Sequence, residues 1–165
     1  GLMPVDVSTS EGATPWLESA GDVLGLANAA LVVLSRSDSE LSILLTDDVQ
    51  IQDLNRDYRN KDVPTDVLSF GQDDGEAFPG TVPVLGDLVI SLQTAERQAA
   101  ELGHPVAAEV RVLLVHGLLH LLGHDHIEEE ERAEMAAAED ALLAALPAVA
   151  EWPTTSGLIG RQGGP

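Results

Sequence analysis

The most constraining feature of the sequence is a cluster of four histidines within eleven residues, HGLLHLLGHDH, from His116 to His126. His116 and His120 are four positions apart in an apolar stretch, so on an α-helix they project from the same face, one turn apart. Gly123 suits the left-handed backbone conformation that ends many helices, and the chain after it can fold back towards the pair. The sequence therefore predicts an apolar helix that ends in a turn and brings several imidazoles together.

Imidazoles that converge in this way are typical of a zinc site. With His116 and His120 as two ligands, either His124 or His126 supplies the third, and one tetrahedral position stays open, as in catalytic zinc sites. Asp125, or His124 if it is not a ligand, could orient a ligand through a hydrogen bond. The chain has no cysteine, which excludes thiolate zinc sites, disulfides and cysteine nucleophiles. We therefore expect one zinc ion, held by the helix and the turn that follows it.

The spacing of these histidines and the glycine also matches the metzincin protease signature, with one difference. In that signature a glutamate follows the first histidine and activates water for peptide hydrolysis. Gly117 stands at that place, so a protease of this type would lack its base. A glycine inside a helix costs about 1 kcal/mol relative to alanine. The presence of Gly117 despite this cost indicates either that a large group approaches the metal or that the helix packs closely against a neighbouring helix. A metal-dependent, protease-like hydrolase is the alternative function.

A second feature is a group of basic residues in a very acidic chain. The sequence has 28 acidic residues against 8 basic ones, which gives a net charge of −20. A chain with this overall charge repels RNA and acidic membranes. Arg56, Arg59 and Lys61, hereafter the basic cluster, lie within six positions and are predicted to contact phosphates. The planar guanidinium of Arg59 suits the charge that develops during phosphoryl transfer, although a surface ion pair with Asp62 or Asp66 is an alternative.

The hydrophobic pattern predicts strands interleaved with helices, which is typical of an α/β or α+β fold. A long helix is expected over 15–35, followed by a helix that Asp47 and Asp48 open, with Ile51, Leu54 and Tyr58 on its buried face. Asp87 falls in an otherwise apolar strand, where a buried carboxylate would need an imidazole or arginine partner. The remaining predicted helices run from Ser91 to Gly103, over 105–122 and over 127–146, and the predicted strands cover 41–45, 67–70 and 84–90.

The length of 165 residues corresponds to one domain. We expect residues 1–150 to form it and residues 151–165 to be a flexible tail. No apolar run approaches the length of a membrane span, and the first residues do not resemble a secretory signal. A cytoplasmic protein without a membrane partner is therefore expected.

Three blocks of the sequence together resemble the YbeY family of single-domain bacterial metal-dependent endoribonucleases. They are NRDYRNKDVPTDVLSF, LGDLVIS and HGLLHLLGHDH, in this order, and the resemblance covers roughly residues 40–145. It implies an α+β fold, with a small mixed sheet of about four strands packed against about five helices. It also implies zinc on His116, His120 and His126, with Arg59 beside the metal.

The resemblance further implies a role on RNA. Family members act in maturing the end of small-subunit ribosomal RNA and in ribosome quality control. The expected substrate is single-stranded RNA, and the expected partner is the small ribosomal subunit or one of its basic proteins. The identity of the general base stays open among Asp125, His124 and Asp87, and Asp125 is the residue chosen for this role. A non-catalytic ribosome-assembly factor with a structural zinc is a further alternative.

Overall fold

A four-stranded mixed β-sheet with helices packed on it forms the centre of the fold. The computed structural model describes residues 5–71, 84–123 and 129–146, with no side-chain description at 129–131. The four-stranded sheet and the helices packed on it confirm the expected α+β architecture. In chain order the elements are β1 (Val5–Thr9), a 3₁₀ helix (Glu11–Trp16), α1 (Leu17–Ala20), α2 (Val23–Val33), β2 (Glu40–Thr46), α3 (Asp48–Arg59), β3 (Val67–Gly71), β4 (Val84–Ser91), α4 (Leu92–Leu102), α5 (Val106–Leu121) and α6 (Glu129–Ala145).

The strands lie in the order β1-β2-β4-β3, so β1 and β3 are the edges of the sheet. β1 pairs parallel with β2, β2 pairs parallel with β4, and β3 pairs antiparallel with β4. In the last pair, Ser69 lies opposite Leu88 and Phe70 opposite Asp87. The three strands expected from the sequence are confirmed, whereas β1 was not predicted.

One face of the sheet carries the main hydrophobic core. Leu41 and Ile43 of β2 alternate towards it, as do Leu88 and Ile90 of β4, and all four are almost fully buried. Helices α2, α5 and α6 contribute most of the remaining residues of this core, and β1, the 3₁₀ helix, α1 and α4 contribute the others. Because α5 lies directly on this face, the histidines near its end are held on a rigid element.

The opposite face of the sheet is covered mainly by α3. Ile51 of this helix is fully buried and packs with Leu68 and Val89 in a second, smaller cluster. Leu54 is partly buried at the side of the cluster. Tyr58 was predicted to be buried with them, and this was wrong, because the last turn of α3 extends beyond the contact and leaves the ring 64% exposed.

The long first helix predicted over 15–35 is also wrong in its continuity. Pro15 lies in the 3₁₀ helix, α1 ends at Ala20, and Gly21 takes φ +78°, outside the range that a helix allows. Asp22 then caps α2 by accepting a hydrogen bond from the backbone N–H of Gly25 (2.9 Å). A glycine followed by a capping aspartate therefore ends one helix and begins another.

The carboxylate of Asp48 connects the first turn of α3 to the first turn of α4. It accepts hydrogen bonds from the hydroxyls of Ser91 (2.7 Å) and Thr94 (2.5 Å) and from the guanidinium of Arg97 (2.7 Å). Burial by itself raises the pKa of Asp48, but the three donors outweigh burial and hold this pKa below its ordinary value. This connection fixes the start of the helix that carries Arg59 at its other end.

We expect Asp48→Asn to lower the free energy of unfolding by about 1–3 kcal/mol at pH 7, since it weakens hydrogen bonds to a charged group. A carboxylate whose pKa is lowered in the folded state stabilises fully above its ordinary pKa of about 3.9 and loses this effect as the pH falls through the folded pKa. Urea unfolding from pH 7 down towards pH 2 should therefore show the variant and the wild type converging in acid. Asp38→Asn, at an exposed acid, is the matched control, and a difference that does not depend on pH would contradict the assignment.

Among the described residues, no single helix is long and apolar enough to cross a membrane, although two bent helix pairs reach that length and hydropathy when each pair is taken together.

Candidate active site

His116 and His120 lie on one side of the last turns of α5, as their spacing predicts. Their rings are edge to face, with centroids 4.6 Å apart and an interplanar angle of 68°. Both residues are only partly buried, although most of α5 around them is buried. Gly123, just beyond the helix, takes φ +95°, which confirms the expected left-handed conformation at the turn.

The two imidazoles face each other through the same ring atom. The Nε2 atom of His116 lies 3.1 Å from the Nε2 atom of His120. Two nitrogens that each bind one zinc ion at 2.0–2.1 Å in a tetrahedron are separated by about 3.3 Å, close to the observed distance. The pair is therefore arranged so that a single divalent ion can accept both nitrogens with little movement.

Glu139 of α6 lies behind His116 and was not anticipated from the sequence. Its Oε2 atom is 3.5 Å from Nδ1 of His116, and its side chain is only 2% exposed. Its other oxygen, Oε1, is buried and has no hydrogen-bond partner among the described residues. A carboxylate at the far nitrogen of a metal-binding imidazole fixes the orientation of the ring and raises its basicity. Glu139 occupies the place for that role. The sequence held one signal for the burial of Glu139, namely its helical spacing from Met135 and Leu142, which are both buried on the same helix.

The other predicted residues of the histidine block lie outside the described part of the chain. These are His124, Asp125 and His126, and their predicted roles stay predictions. Within the described ranges, no group of three histidine, aspartate or glutamate side chains is placed to hold a metal. The described site therefore consists of two imidazoles and the carboxylate behind one of them.

Gly117 is explained by packing against the sheet. A Cβ atom at this position would lie 2.8 Å from Cδ2 of Leu88 and 3.3 Å from Cγ2 of Val67, both on strands beneath the helix. The expected close packing at Gly117 is confirmed, but the helix packs there against the sheet and not against another helix. The catalytic glutamate of a metzincin at this place would have to displace the buried Leu88, which counts against a protease.

Arg59 is held at the edge of β3 that faces away from β4 in the described sheet. Its Nη2 atom donates to the backbone carbonyl of Ser69 (2.7 Å), and its Nη1 atom donates to the carbonyl of Tyr58 (3.2 Å). The Ser69 hydroxyl in turn donates to the carbonyl of Gly117 on α5 (3.2 Å). Ser69 thus connects Arg59 to the residue next to His116. No ion pair of Arg59 with Asp62 or Asp66 occurs among the described residues, so the surface-pair alternative is wrong.

The other members of the basic cluster differ from Arg59. Arg56 is surrounded by carboxylates, at 3.2 Å from Asp53, 3.1 Å from Asp57 and 3.9 Å from Asp62. The hydrogen bond to Asp57 raises the pKa of the Arg56 guanidinium, and the neighbouring negative charges add to the effect. Lys61 is exposed in the segment after α3. The predicted contacts of both residues with phosphates stay predictions, with much of the charge of Arg56 already compensated.

Asp87 does not match the prediction of a buried carboxylate. It is exposed, because it lies on the outer face of β4, at a point that α3 does not cover. α5 packs on the other face of the sheet, where Leu88 contacts Gly117. Asp87 is therefore separated from the histidine pair by the sheet itself.

These features define a small α+β protein with a candidate metal centre on a buried helix and an arginine that Ser69 connects to that helix. The solution structure of TM1509 from Thermotoga maritima is similar in fold, with a TM-score of 0.57 and 23% identity over 86% of this chain and 87% of that one. The family model for endoribonuclease YbeY matches residues 10–147.

Relatives named endoribonuclease YbeY agree with this match. The chain is 50% identical to that of Heliobacterium modesticaldum over 123 residues, which cover 70% of this chain and 74% of the relative. It is 46% identical to that of Pelotomaculum thermopropionicum over 150 residues, which cover 87% and 97%. The chain belongs to the endoribonuclease YbeY family, which confirms the resemblance seen in its sequence. Membership in this family supports an endoribonuclease role, with RNA as the substrate.

Proposed function

We propose that this protein is a zinc-dependent endoribonuclease that cuts single-stranded RNA and acts in maturing the 3′ end of small-subunit ribosomal RNA and in ribosome quality control. Zinc is assigned to His116, His120 and His126, and Arg59 to the scissile phosphate. One observation carries the proposal: the Nε2 atoms of His116 and His120 face each other at 3.1 Å. A hydrogen bond between the two rings would give the same distance, and metal analysis of the purified protein separates it from a shared ion.

The residues present fit a zinc ion in chemistry as well as in spacing. Neutral imidazole is a common zinc ligand, and a carboxylate at the other nitrogen favours the tautomer that leaves Nε2 as an acceptor. When bound, zinc supplies a Lewis acid that polarises a phosphate oxygen or lowers the pKa of a bound water. In this assignment Glu139 holds the ring of His116 in place during the reaction.

Arg59 is suited to stabilise the charge on the phosphate as the bond breaks. A guanidinium has five N–H donors, and only two of them are used by described residues, on the carbonyls of Ser69 and Tyr58. The remaining donors can bind phosphate oxygens in a planar fork. Because those two carbonyls fix the guanidinium, little reorganisation is needed when the phosphate arrives.

Proton transfer is assigned to Asp125 and not to Asp87. Asp87 is exposed on the face of the sheet opposite α5, so it cannot reach a phosphate that lies at the histidine pair. Asp125 is one residue before the proposed ligand His126 in the sequence. The neighbouring His124 is the alternative base.

The charge of the chain favours delivery of the substrate by a partner. With a net charge of −20 and with Arg56 paired to carboxylates, the surface offers little attraction to free RNA. A basic ribosomal protein or the small ribosomal subunit would bind the acidic surface and present the RNA end. In this proposal the protein acts in the cytoplasm, where ribosomes are assembled.

The test is a cleavage assay with purified, zinc-loaded protein on a labelled single-stranded RNA and on its duplex. We expect the single strand to be cut, cutting to stop after a chelator, and activity to return when zinc is added back. The ends of the products identify the nucleophile, since attack by water leaves a simple monophosphate and attack by the 2′-hydroxyl leaves a cyclic one. Cleavage that persists after the chelator, at unchanged rate, would contradict zinc dependence.

A further inference from the structure

Two aromatic rings and a guanidinium form a continuous patch at the β3 edge of the described sheet. The rings of Tyr58 and Phe70 meet edge to face, with centroids 5.4 Å apart and an interplanar angle of 69°. The Cζ atom of Arg59 lies over the Phe70 ring, 4.7 Å from its centroid. We call Tyr58, Arg59 and Phe70 the stacking patch. The metal centre proposed above does not use either ring.

Tyr58 is largely exposed although it carries a large aromatic ring. It is the only tyrosine among 165 residues, and aromatic residues make up 3% of the sequence, yet this ring is 64% exposed. A large ring left in water beside a second ring leaves apolar area that a flat partner could cover. The patch therefore has the properties of a binding surface more than those of a core.

A groove of about 540 Å³ continues from the stacking patch across the outer face of the sheet. Its walls combine apolar side chains, such as Leu44 and Val89, with the polar side chains of Ser8, Ser42 and Asp87. The groove is open to solvent, and its volume is sufficient for one flat ring system. A nucleobase matches this lining, because its faces are apolar and its edges carry hydrogen-bond donors and acceptors.

We propose that the stacking patch and groove form a nucleobase-binding subsite for the single-stranded RNA substrate. In this subsite the base stacks on Tyr58 and Phe70, and the phosphate of the same or the adjacent nucleotide contacts Arg59. Aromatic stacking combined with arginine is the common way in which proteins bind single strands without reading their sequence. The inference rests on the proposed function, because it takes Arg59 as the phosphate contact.

The charges around the groove orient the nucleotide. Arg59 lies at the edge of β3, and Phe70 of β3 is the cross-strand partner of Asp87 on β4. A phosphate is attracted to the guanidinium and repelled by the carboxylate, so it stays at the edge while the base covers the rings. The edge is also the side on which Ser69 contacts α5, so the strand can pass from the subsite towards the histidine pair.

The first experiment measures binding of a 2′-O-methylated hexa-adenylate by the zinc-loaded protein. Tyr58→Ala should weaken binding roughly 5- to 150-fold, the range that base–aromatic stacking gives on removal of the ring. Tyr58→Phe should bind within about twofold of the wild type, because it keeps the stacking face and loses only the hydroxyl. Val49→Ala, at a 70% exposed position on the same helix, is the matched control and should bind as the wild type does.

The second experiment separates stacking from a general effect of the variant. A series of hexamers is used, each lacking the base at a different position. One of them should bind the wild type more weakly than the complete hexamer does, by a factor similar to that for Tyr58→Ala. For Tyr58→Ala, this abasic hexamer and the complete hexamer should bind equally well. The variant has already lost the ring on which the missing base would stack, so removal of the base costs nothing further. Since the chain has one tyrosine, 3-fluorotyrosine labelling gives a single ¹⁹F resonance, which should shift on addition of the complete hexamer.

The outcomes distinguish the subsite from the proposed function. If the wild type cuts RNA and Tyr58→Ala binds and cuts equally well, the subsite is overturned and the nuclease assignment stands. Equal losses for every abasic hexamer with both proteins would also overturn it. If the wild type neither binds nor cuts single-stranded RNA, the proposed function fails, and the subsite fails with it.

Discussion

Replacement of His120 by alanine is expected to remove zinc from the protein and to abolish RNA cleavage. The wild type should contain about one zinc per chain and the variant close to none, because in the proposed site the Nε2 atoms of His116 and His120, 3.1 Å apart, would both bind the ion. Loss of one of only three protein ligands would then remove much of the zinc affinity. Metal analysis of the purified proteins, with cleavage measured on the same samples, checks both results. Near-stoichiometric zinc in His120→Ala would contradict the assigned ligand set.

Two further variants make the test specific to a metal centre. His104 precedes α5 by two residues and lies roughly 18 Å along the helix direction from His116, at 1.5 Å per residue. His104→Gln should therefore keep its zinc. Glu139→Gln keeps every proposed ligand but weakens the support of His116, so zinc affinity should fall by about 10- to 100-fold. Loss of zinc in all three variants would indicate a general folding defect, which thermal melting would reveal.

The sequence predicts the main elements of the fold because their local signals agree. Asp47 and Ser91 cap α3 and α4 as expected, each accepting a backbone N–H three residues on. β1 escaped prediction because in Val5–Thr9 only the two valines are apolar, and parallel pairing with a distant strand leaves no local signal. The break at Gly21 escaped because the apolar spacing continues through it, although the glycine and Asp22 are together a signal to end and restart a helix.

The candidate site shows the same division between local and long-range information. The pairing of His116 and His120 follows from their spacing on one helix and is confirmed. The contact of Glu139 with His116 depends on how α6 packs on α5, which no local pattern encodes. Asp87 was placed in the core because its neighbours are apolar, but exposure in a strand depends on what covers each face. Gly117 could be noticed in the sequence, yet only the positions of Leu88 and Val67 explain it.

Arg59→Ala is expected to lower the rate of RNA cleavage by roughly 10²- to 10³-fold while zinc stays bound, by analogy with removal of one donor from an oxyanion hole. The structure predicts a small cost to the fold as well, because Nη2 of Arg59 donates to the carbonyl of Ser69 at the edge of β3. A single exposed hydrogen bond of this kind contributes about 0.5–1.5 kcal/mol, so the variant should remain folded at the assay temperature.

Single-turnover cleavage, metal content and melting curves measured together separate the two roles of Arg59. Arg59→Lys keeps the positive charge but loses the planar fork, so its rate should fall between those of the wild type and of Arg59→Ala. Arg36→Ala, at an exposed arginine outside the basic cluster, controls for the loss of one positive charge from an acidic chain. Undiminished turnover in Arg59→Ala would leave Arg59 with a structural role only, in which its guanidinium covers the carbonyl of Ser69 at the free edge of the sheet.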